Sequence, residues 1–247
     1  MLISIVVITA RAEPGFVELV KTLQGAKVEL ELVYVDKLKQ SRNGHWEEAM
    51  ARLGLDFIHL EDQPADGPCP SAARNLGISK ANGDWIICID DLTTISHEVL
   101  NIHALAHDLG FDAVAGSYTL NGKLAAHSDS RYGDPAASNG EWVAHHFYGM
   151  HMGFTKKAWL EVGGFDTTFD GVYGWEDCDF GHRLFLNGSS MAWLPTAQVN
   201  CQKDERHESI QAKSSFQHNA FVYGELKWRN DALILWNKAL GKIDARK

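Results

Sequence analysis

The segment Trp85-Ile86-Ile87-Cys88-Ile89-Asp90-Asp91 is the part of this 247-residue chain that decides its fold prediction. An unbroken run of apolar residues is typical of a strand buried on both faces, and two aspartates follow where such a strand reaches solvent. Neighbouring carboxylates stay ionised together only beside a cation or hydrogen-bond donors. Taken alone, however, the pair favours a loop that opens with two solvated acids, because Asp is common in turns. The flanking segments decide between these interpretations.

On both sides of this segment, apolar runs alternate with segments of helical periodicity. Strands are predicted at 3–9, 30–35, 57–60, 85–89 and 113–117, with helices around 16–23, 46–53, 71–81 and 97–109. Repeated β-α units predict an α/β fold with a Rossmann-like, doubly wound, mostly parallel sheet. Such sheets bind ligands beyond the carboxyl ends of their strands, so Asp36, Asp90 and Asp91 are expected to meet at one edge.

Composition and missing motifs exclude several other classes of protein. The formal net charge of −9 argues against broad electrostatic attachment to nucleic acid, which disfavours a nucleic-acid acceptor. The four cysteines form no C-x-x-C pair, and neither a signal peptide nor a membrane-spanning stretch is visible, so we expect a cytoplasmic protein with reduced thiols. The sequence has no G-x-G-x-x-G after the first strand, no P-loop and no G-x-S-x-G elbow. These exclusions leave metal-assisted chemistry in which acidic residues take part.

The second half of the chain contains an acidic cluster that opens a helix. After a predicted hairpin turn at 121–122, a strand at 149–154 and a helix at 156–162, the segment Trp175-Glu176-Asp177-Cys178-Asp179 begins a helical pattern that ends near Gly188. Acids in a first helical turn are favoured by the helix dipole, so simple capping is an equal interpretation. A neighbouring aromatic ring can desolvate a carboxylate and raise its basicity, which suits a general base.

The sequence contains four segments in a characteristic order: Ala73-Arg74-Asn75-Leu76-Gly77, 83–91, Gly163-Gly164-Phe165-Asp166 and Trp175-Glu176-Asp177. They resemble motifs of the inverting GT-A glycosyltransferases of glycosyltransferase family 2. The segment 69–77, with Ala73-Arg74-Asn75-Leu76-Gly77, is similar to the A-R-N-x-G segment, and 83–91 is similar to the following strand and its D-x-D region. Gly163-Gly164-Phe165-Asp166 is similar to the G-G-F-D element, and 175–177 to the G-x-x-E-D element. The resemblance covers about residues 1–200, and four motifs in order are more specific than any one.

The resemblance implies a donor site for a nucleoside diphosphate sugar at the end of the first strands. Thr9, Arg11 and Asp36 would border the base and ribose, and Arg74 would lie near the diphosphate. Asp90 and Asp91 would hold ribose and a Mn²⁺ or Mg²⁺ ion. That ion would neutralise charge on the departing nucleoside diphosphate.

On the acceptor side, the resemblance implies that Asp177 is the general base that deprotonates a sugar hydroxyl as it attacks the anomeric carbon. Glu176 would orient the acceptor or the base. Apart from the resemblance, Trp175 flanks these acids and His151 lies near the presumed acceptor side of the chain, so we expect both to contact the acceptor. The implied activity is hexosyl or N-acetylhexosaminyl transfer, with inversion, from a UDP-sugar to a saccharide or glycoconjugate.

Two positions depart from the family pattern. Leu92 stands where the second metal-binding Asp of D-x-D is expected, so Asp91 or His207 would have to complete the metal site. Lys37 follows Asp36 where the family often has a second acid and a Gly-Ser turn, which bears on the choice of nucleotide base.

We predict a catalytic domain at 1–205, divided into a donor half at 1–118 and an acceptor half at 119–205, and a C-terminal helical extension at 206–247. The extension has an apolar stripe and many basic residues, so it packs on the catalytic domain, contacts a membrane surface or forms a homodimer. Two other functions stay open: a sugar-phosphate nucleotidyltransferase of the same fold, and a catalytically inactive module that binds sugar nucleotides.

Overall fold

The computed structural model describes residues 1–62, 67–124, 143–144, 146–171, 174–202, 219 and 222–225. Its strands are β1 (Leu2–Thr9), β2 (Glu29–Asp36), β3 (Asp56–Glu61), β4 (Trp85–Asp90), β5 (Thr93–Thr94), β6 (Ala113–Leu120), β7 (Lys123–Leu124), β8 (His151–Thr155) and β9 (Met191–Cys201). Its α-helices are α1 (Phe16–Leu23), α2 (His45–Leu53), α3 (Pro70–Lys80), α4 (His97–Asp108), α5 (Lys156–Glu161) and α6 (Glu176–Leu186). Short 3₁₀ helices span Lys39–Arg42 and Thr167–Phe169.

The strands of these described segments form one mixed sheet in the order β3-β2-β1-β4-β8-β6-β9-β5, with β7 paired to β6. The first four strands are parallel, as the β-α pattern predicts. Strand β8 then lies antiparallel between β4 and β6, and β6 pairs in parallel with β9. The α/β class is therefore confirmed, and the sheet is more mixed than expected because a strand from late in the chain separates β4 from β6.

The core follows from strands that are apolar on both faces and helices that are apolar on one. In α1, the side chains at i, i+3, i+4 and i+7 from Phe16 are buried, as the periodicity predicts. Helix α3 packs very close to the sheet at Gly77, where a Cβ atom would lie 2.7 Å from Val6 Cγ1 and 3.1 Å from Val35 Cγ2. Glycine is therefore required for this approach of helix and sheet.

Local turn chemistry is also as predicted. Asn121 and Gly122 have φ angles of 50° and 76°, so both central residues of the β6–β7 hairpin are left-handed, which is the geometry of a type I′ turn. Helix α6 is followed by Gly188 with a φ of 84°, as a glycine terminator requires.

The two predicted domain boundaries lie at 118/119 and 205/206. The division at 118/119 falls inside β6, so both predicted halves share one sheet. Most of the predicted extension at 206–247 lies outside the described residues. Within the described part, no helix is long and apolar enough to cross a membrane.

Candidate active site

The ends of β1, β2 and β4 lie side by side, which brings the predicted donor residues together. Thr9 is paired with Asp36 in the β1–β2 register, and Ile8 is paired with Asp90 in the β1–β4 register. The convergence predicted from the strand ends is therefore present in the structure.

Asp91 is held by two residues at the end of β1. Its Oδ2 accepts a hydrogen bond from Thr9 Oγ1 at 2.6 Å, and its Oδ1 pairs with Arg11 Nε at 3.0 Å. Thr9 Oγ1 also accepts the backbone N–H of Arg11 at 3.1 Å, which fixes the turn that carries the arginine. We call Thr9, Arg11, Asp90 and Asp91 the β4-end cluster.

Asp36 is fully buried and its carboxylate is satisfied from within the fold. Its Oδ1 accepts the backbone N–H of Leu38 at 2.8 Å, and its Oδ2 pairs with Arg42 Nε at 2.9 Å. Burial alone raises the pKa of Asp36, but hydrogen bonds from His59, Arg42 and Leu38 outweigh it and lower that pKa overall. Asp36 is thus ionised, and its contacts hold the wall of the site in place.

Arg42 and His59 are functional candidates that sequence reasoning missed. Arg42 donates to the backbone carbonyls of Arg11 and Ala12 and lies 4.4 Å from the ring centroid of Trp46. It therefore ties the β1 turn to Asp36. His59 Nδ1 lies 2.7 Å from a Glu47 carboxylate oxygen. These contacts join residues of different elements, so no local motif could indicate them.

A buried ion pair joins α3 to the start of α6. Arg74 Nη1 donates to Glu176 Oε1 at 2.7 Å, and both side chains are 7% exposed. Burial, and then the charge of Asp177, raise the pKa of Glu176. The Oε2 atom of Glu176 is buried, and no described residue supplies it with a hydrogen-bond partner. A buried carboxylate oxygen without a hydrogen-bond partner is costly, so this position is a candidate site for a ligand group that donates a hydrogen bond.

Asp177 lies beside this pair, less buried than Glu176 and rigidly held. Its Oδ2 accepts the backbone N–H of Gly149 at 2.8 Å, and its Oδ1 accepts that of Cys178 at 2.8 Å. A Cβ atom on Gly149 would clash with Arg74 Nη2, so glycine is needed for this close packing. We call Arg74, Gly149, Glu176 and Asp177 the α6-start cluster.

The structure explains why the other motif residues adjoin this cluster. Asn75 Nδ2 donates to Phe165 O at 2.8 Å, and Asn75 Oδ1 accepts the N–H of Phe165 at 2.8 Å. Asp170 accepts the backbone N–H groups of Ser71 and Ala72 at 2.9 and 3.0 Å and so caps α3. The A-R-N-x-G segment therefore holds the loop that leads into α6.

His151 occupies a different place from the predicted acceptor contact. It is 1% exposed within the sheet, its Nε2 lies 2.8 Å from His103 Nε2, and its Nδ1 lies 3.0 Å from Ser117 O. Trp85 Nε1 donates to His103 Nδ1 at 3.2 Å, which places the ring proton of His103 on Nε2 and that of His151 on Nδ1. This geometry corrects the acceptor assignment of His151, because both of its nitrogens are used inside the fold.

Electrostatics link the two clusters through Arg74. Burial lowers the pKa of Arg74, but the charge of Glu176, and with it those of Asp90 and Asp177, raise that pKa overall. The Arg74 guanidinium thus interacts electrostatically with Asp90 of the β4-end cluster as well as with Glu176 and Asp177. Trp175, the remaining predicted acceptor residue, immediately precedes α6.

The β4-end cluster fits a divalent metal through its donor atoms. Asp90 and Asp91 offer hard carboxylate oxygens, and Mg²⁺ is commonly held by one or two carboxylates together with substrate phosphates and water. A metal ion bound to Asp91 would share the carboxylate with the Arg11 guanidinium or would displace that guanidinium. Among the residues that the structure describes, no three His, Cys, Asp or Glu side chains form a group able to hold a metal. His207, the other predicted ligand, lies outside them.

Comparison with solved structures defines the class of fold. TarS 1–349 from S. aureus, solved in complex with UDP-GlcNAc, matches with a TM-score of 0.66 and 18% identity over 83% of this chain and 59% of that chain. The mannosyltransferase PcManGT from Pyrobaculum calidifontis, solved in complex with GDP-Man and Mn²⁺, matches with a TM-score of 0.62 and 17% identity over 83% of this chain and 57% of that one. The chain therefore spans less than two thirds of either protein. Its fold is that of the GT-A glycosyltransferases.

A family model gives a second, more local likeness. The model described as the N-terminal domain of galactosyltransferase matches residues 139–208, which include α6 and its acidic start. No curated protein sequence matches the chain. The predicted resemblance to GT-A glycosyltransferases is confirmed.

Proposed function

We propose that this protein is an inverting glycosyltransferase. It would transfer a hexosyl or N-acetylhexosaminyl group from a nucleoside diphosphate sugar, with UDP the favoured nucleotide, to a hydroxyl of a saccharide or glycoconjugate. The observation that carries the proposal is the position of Arg74, paired at 2.7 Å with Glu176 and in electrostatic range of both Asp90 and Asp177. This position supports a single site that would combine the donor edge with the candidate base.

The donor side is supported by the β4-end cluster. Asp90 ends β4 and Asp91 follows it, at the edge where ligands of such sheets bind, and Arg11 adds a partly exposed positive charge beside Asp91. Asp90 and Asp91 are the residues that would hold a divalent metal, which neutralises charge on a leaving nucleoside diphosphate when bound. Asp36 and Arg42 would shape the wall against the base, because they fix the turn that follows β1.

The acceptor side is supported by the different surroundings of two adjacent acids. Glu176 is buried against Arg74 and is suited to orient that guanidinium. Asp177 is more accessible, and two backbone N–H groups fix its carboxylate in one position. A general base must be both accessible and fixed, so Asp177 takes that role. It would accept the proton of the acceptor hydroxyl as that oxygen attacks the anomeric carbon, while the nucleoside diphosphate departs.

The first experiment separates donor binding from catalysis. Melting temperatures measured with UDP, GDP and ADP, each with and without Mn²⁺, report binding without knowledge of the acceptor. Hydrolysis of UDP-GlcNAc and UDP-hexoses is then measured for the natural protein, for Asp177→Asn and for the surface control Asp108→Asn. We expect Asp177→Asn to retain the nucleotide shift and to lose about 100-fold or more in rate, since general-base catalysis contributes about 10²–10⁴-fold.

The results discriminate among the candidate functions. Binding without any turnover in the natural protein would indicate an inactive sugar-nucleotide module. Release of inorganic pyrophosphate from a nucleoside triphosphate and a sugar phosphate would indicate a nucleotidyltransferase. An NMR spectrum of the transfer product that shows a retained anomeric configuration would refute the inverting mechanism.

A further inference from the structure

The side chain of Asn219, which is distant in sequence from the site motifs, bridges the two ends of the loop that leads into α6. Its side chain is fully buried, and its Nδ2 donates to Phe169 O at 3.0 Å and to Gly174 O at 2.9 Å. One amide group therefore ties together the two ends of the segment 169–174. The same segment contains Asp170, which caps α3. Asn219 thus holds the segment that precedes α6, the helix of Glu176, and that caps α3, the helix of Arg74.

Trp175 has a backbone conformation that needs support from its surroundings. Its φ is 75°, in the left-handed region that bulky residues rarely adopt because it strains the backbone. Its ring stacks on Tyr223, with centroids 4.9 Å apart and an interplanar angle of 23°. Its carbonyl accepts the N–H of Asp179 at 2.9 Å, so this unusual conformation also begins the hydrogen bonding of α6.

We propose that Asn219 and Tyr223 are positioning residues that set the orientation of Glu176 and Asp177. The proposal rests on the proposed function for its catalytic consequence. Asn219 holds Gly174, and Tyr223 holds the indole of Trp175, so the two residues before Glu176 are fixed from outside their own helix. Because Trp175 adjoins Glu176 directly, a change of its left-handed backbone would rotate the first turn of α6. The bonds of Glu176 to Arg74 and of Asp177 to Gly149 would then lose their geometry.

The test compares variants on this segment in the full chain. Tyr223→Ala removes the stacking, Tyr223→Phe keeps it, and Asn219→Asp removes the amide donor at nearly constant shape. Tyr223→Leu replaces Tyr223→Ala if that variant fails to fold. Glu225→Gln, an exposed position on the same segment, is the matched control. Circular dichroism establishes folding before each measurement.

Two readouts distinguish positioning from general packing. Hydrogen exchange followed by mass spectrometry should show faster exchange in peptides covering 174–179 for Tyr223→Ala and Asn219→Asp, with β1 and β4 unchanged. For the same variants kcat should fall about tenfold or more, and clearly further than the affinity for the donor measured by its KM and by the nucleotide-induced shift, because the displaced base acts in the catalytic step. Tyr223→Phe should keep both properties.

The two readouts also separate this proposal from the proposed function. If Tyr223→Ala and Asn219→Asp fold and their hydrogen exchange at 174–179 is as slow as in the natural protein, the positioning role is overturned. A loss of donor affinity as large as the loss of kcat would also overturn it. If the natural protein shows no turnover at all, the glycosyltransferase proposal fails. The exchange measurement still decides whether Asn219 and Tyr223 hold the start of α6.

Discussion

Arg74 and Glu176 form a buried ion pair, with Nη1 and Oε1 2.7 Å apart, across 102 positions of sequence. The pair joins the helix that follows β3 to the helix that carries the candidate base. Removing one partner of a buried pair leaves an uncompensated charge, which is far more costly than removing an exposed pair.

Arg74→Met should therefore lower the free energy of unfolding by about 3–5 kcal/mol, the range typical of broken buried pairs. Urea denaturation measures this loss. The double variant Arg74→Met/Glu176→Met should lose clearly less than the sum of the two single variants, because neither charge is left unpaired. Arg52→Gln, which breaks the exposed pair with Glu48, is the control and should change stability by about 0.5 kcal/mol or less. Additive losses at 74 and 176 would contradict the ion pair.

Arg11 should compete with a divalent metal for Asp91, because its Nε already neutralises that carboxylate at 3.0 Å. Arg11→Gln should bind Mn²⁺ more tightly than the natural protein in isothermal titration calorimetry without nucleotide. Asp91→Asn should remove the binding, and Arg52→Gln should leave it unchanged. Equal Mn²⁺ affinity in Arg11→Gln and the natural protein would show that the guanidinium does not control this carboxylate.

The buried His103–His151 pair should make stability depend on pH. Burial lowers the pKa of His151 to about 4 and that of His103 well below its ordinary 6.5. The unfolded chain therefore binds more protons below pH 6.5, so the stabilising contribution is complete above that pH and is lost as the pH falls towards about 4. Each neutral histidine contributes a slope of about 1.4 kcal/mol per pH unit in this window.

The raised pKa of Glu176 acts in the opposite direction, since it favours the folded state as the pH falls. A difference measurement isolates the histidines. His103→Gln should reduce the pH slope of the unfolding free energy between pH 6.5 and about 4, relative to the natural protein measured in the same buffers. An unchanged slope in His103→Gln would mean that the buried pair does not titrate in this way.

Gly77→Ala should destabilise the protein although alanine favours helices. The added methyl group would lie 2.7 Å from Val6 Cγ1, so α3 would have to move away from the sheet. Overpacking of this kind typically costs about 1–3 kcal/mol in thermal or urea unfolding. Gly224→Ala is the matched control, because no atom of the residues that the structure describes lies within 4 Å of the place that its added methyl group would occupy. Equal stability of the two variants would show that the helix–sheet contact is looser than the geometry indicates.

Several features of the site could be predicted from sequence because they depend on short segments. The apolar run 85–89 indicated a buried strand, and the acids after it lie at the sheet edge beside Thr9. The acidic start of α6 was visible from Glu176 and Asp177, since helix boundaries follow from local periodicity. The metal ligands, the base and the acceptor contacts other than His151 stay predictions.

Other features could not be predicted, because they join residues that are distant in sequence. Nothing near Arg42 indicates that it donates to the carbonyls of Arg11 and Ala12 in the turn after β1, and nothing near Asn219 indicates that it donates to Gly174 O. His151 was misplaced for the same reason. Its position in the chain suggested an acceptor contact, whereas its position in the sheet pairs it with His103.

The sequence by itself determined the alternation of strands and helices, the left-handed turn at Asn121 and Gly122, and the two acidic segments that end β4 and begin α6. These follow from local conformational preferences and from the period of apolar residues. The tertiary structure decided the insertion of β8 between β4 and β6, the pairing of Arg74 with Glu176 and the engagement of Asp91 by Arg11. Strand order and long-range packing select those contacts, because charged and polar groups that become buried must find partners wherever the folded sheet places them.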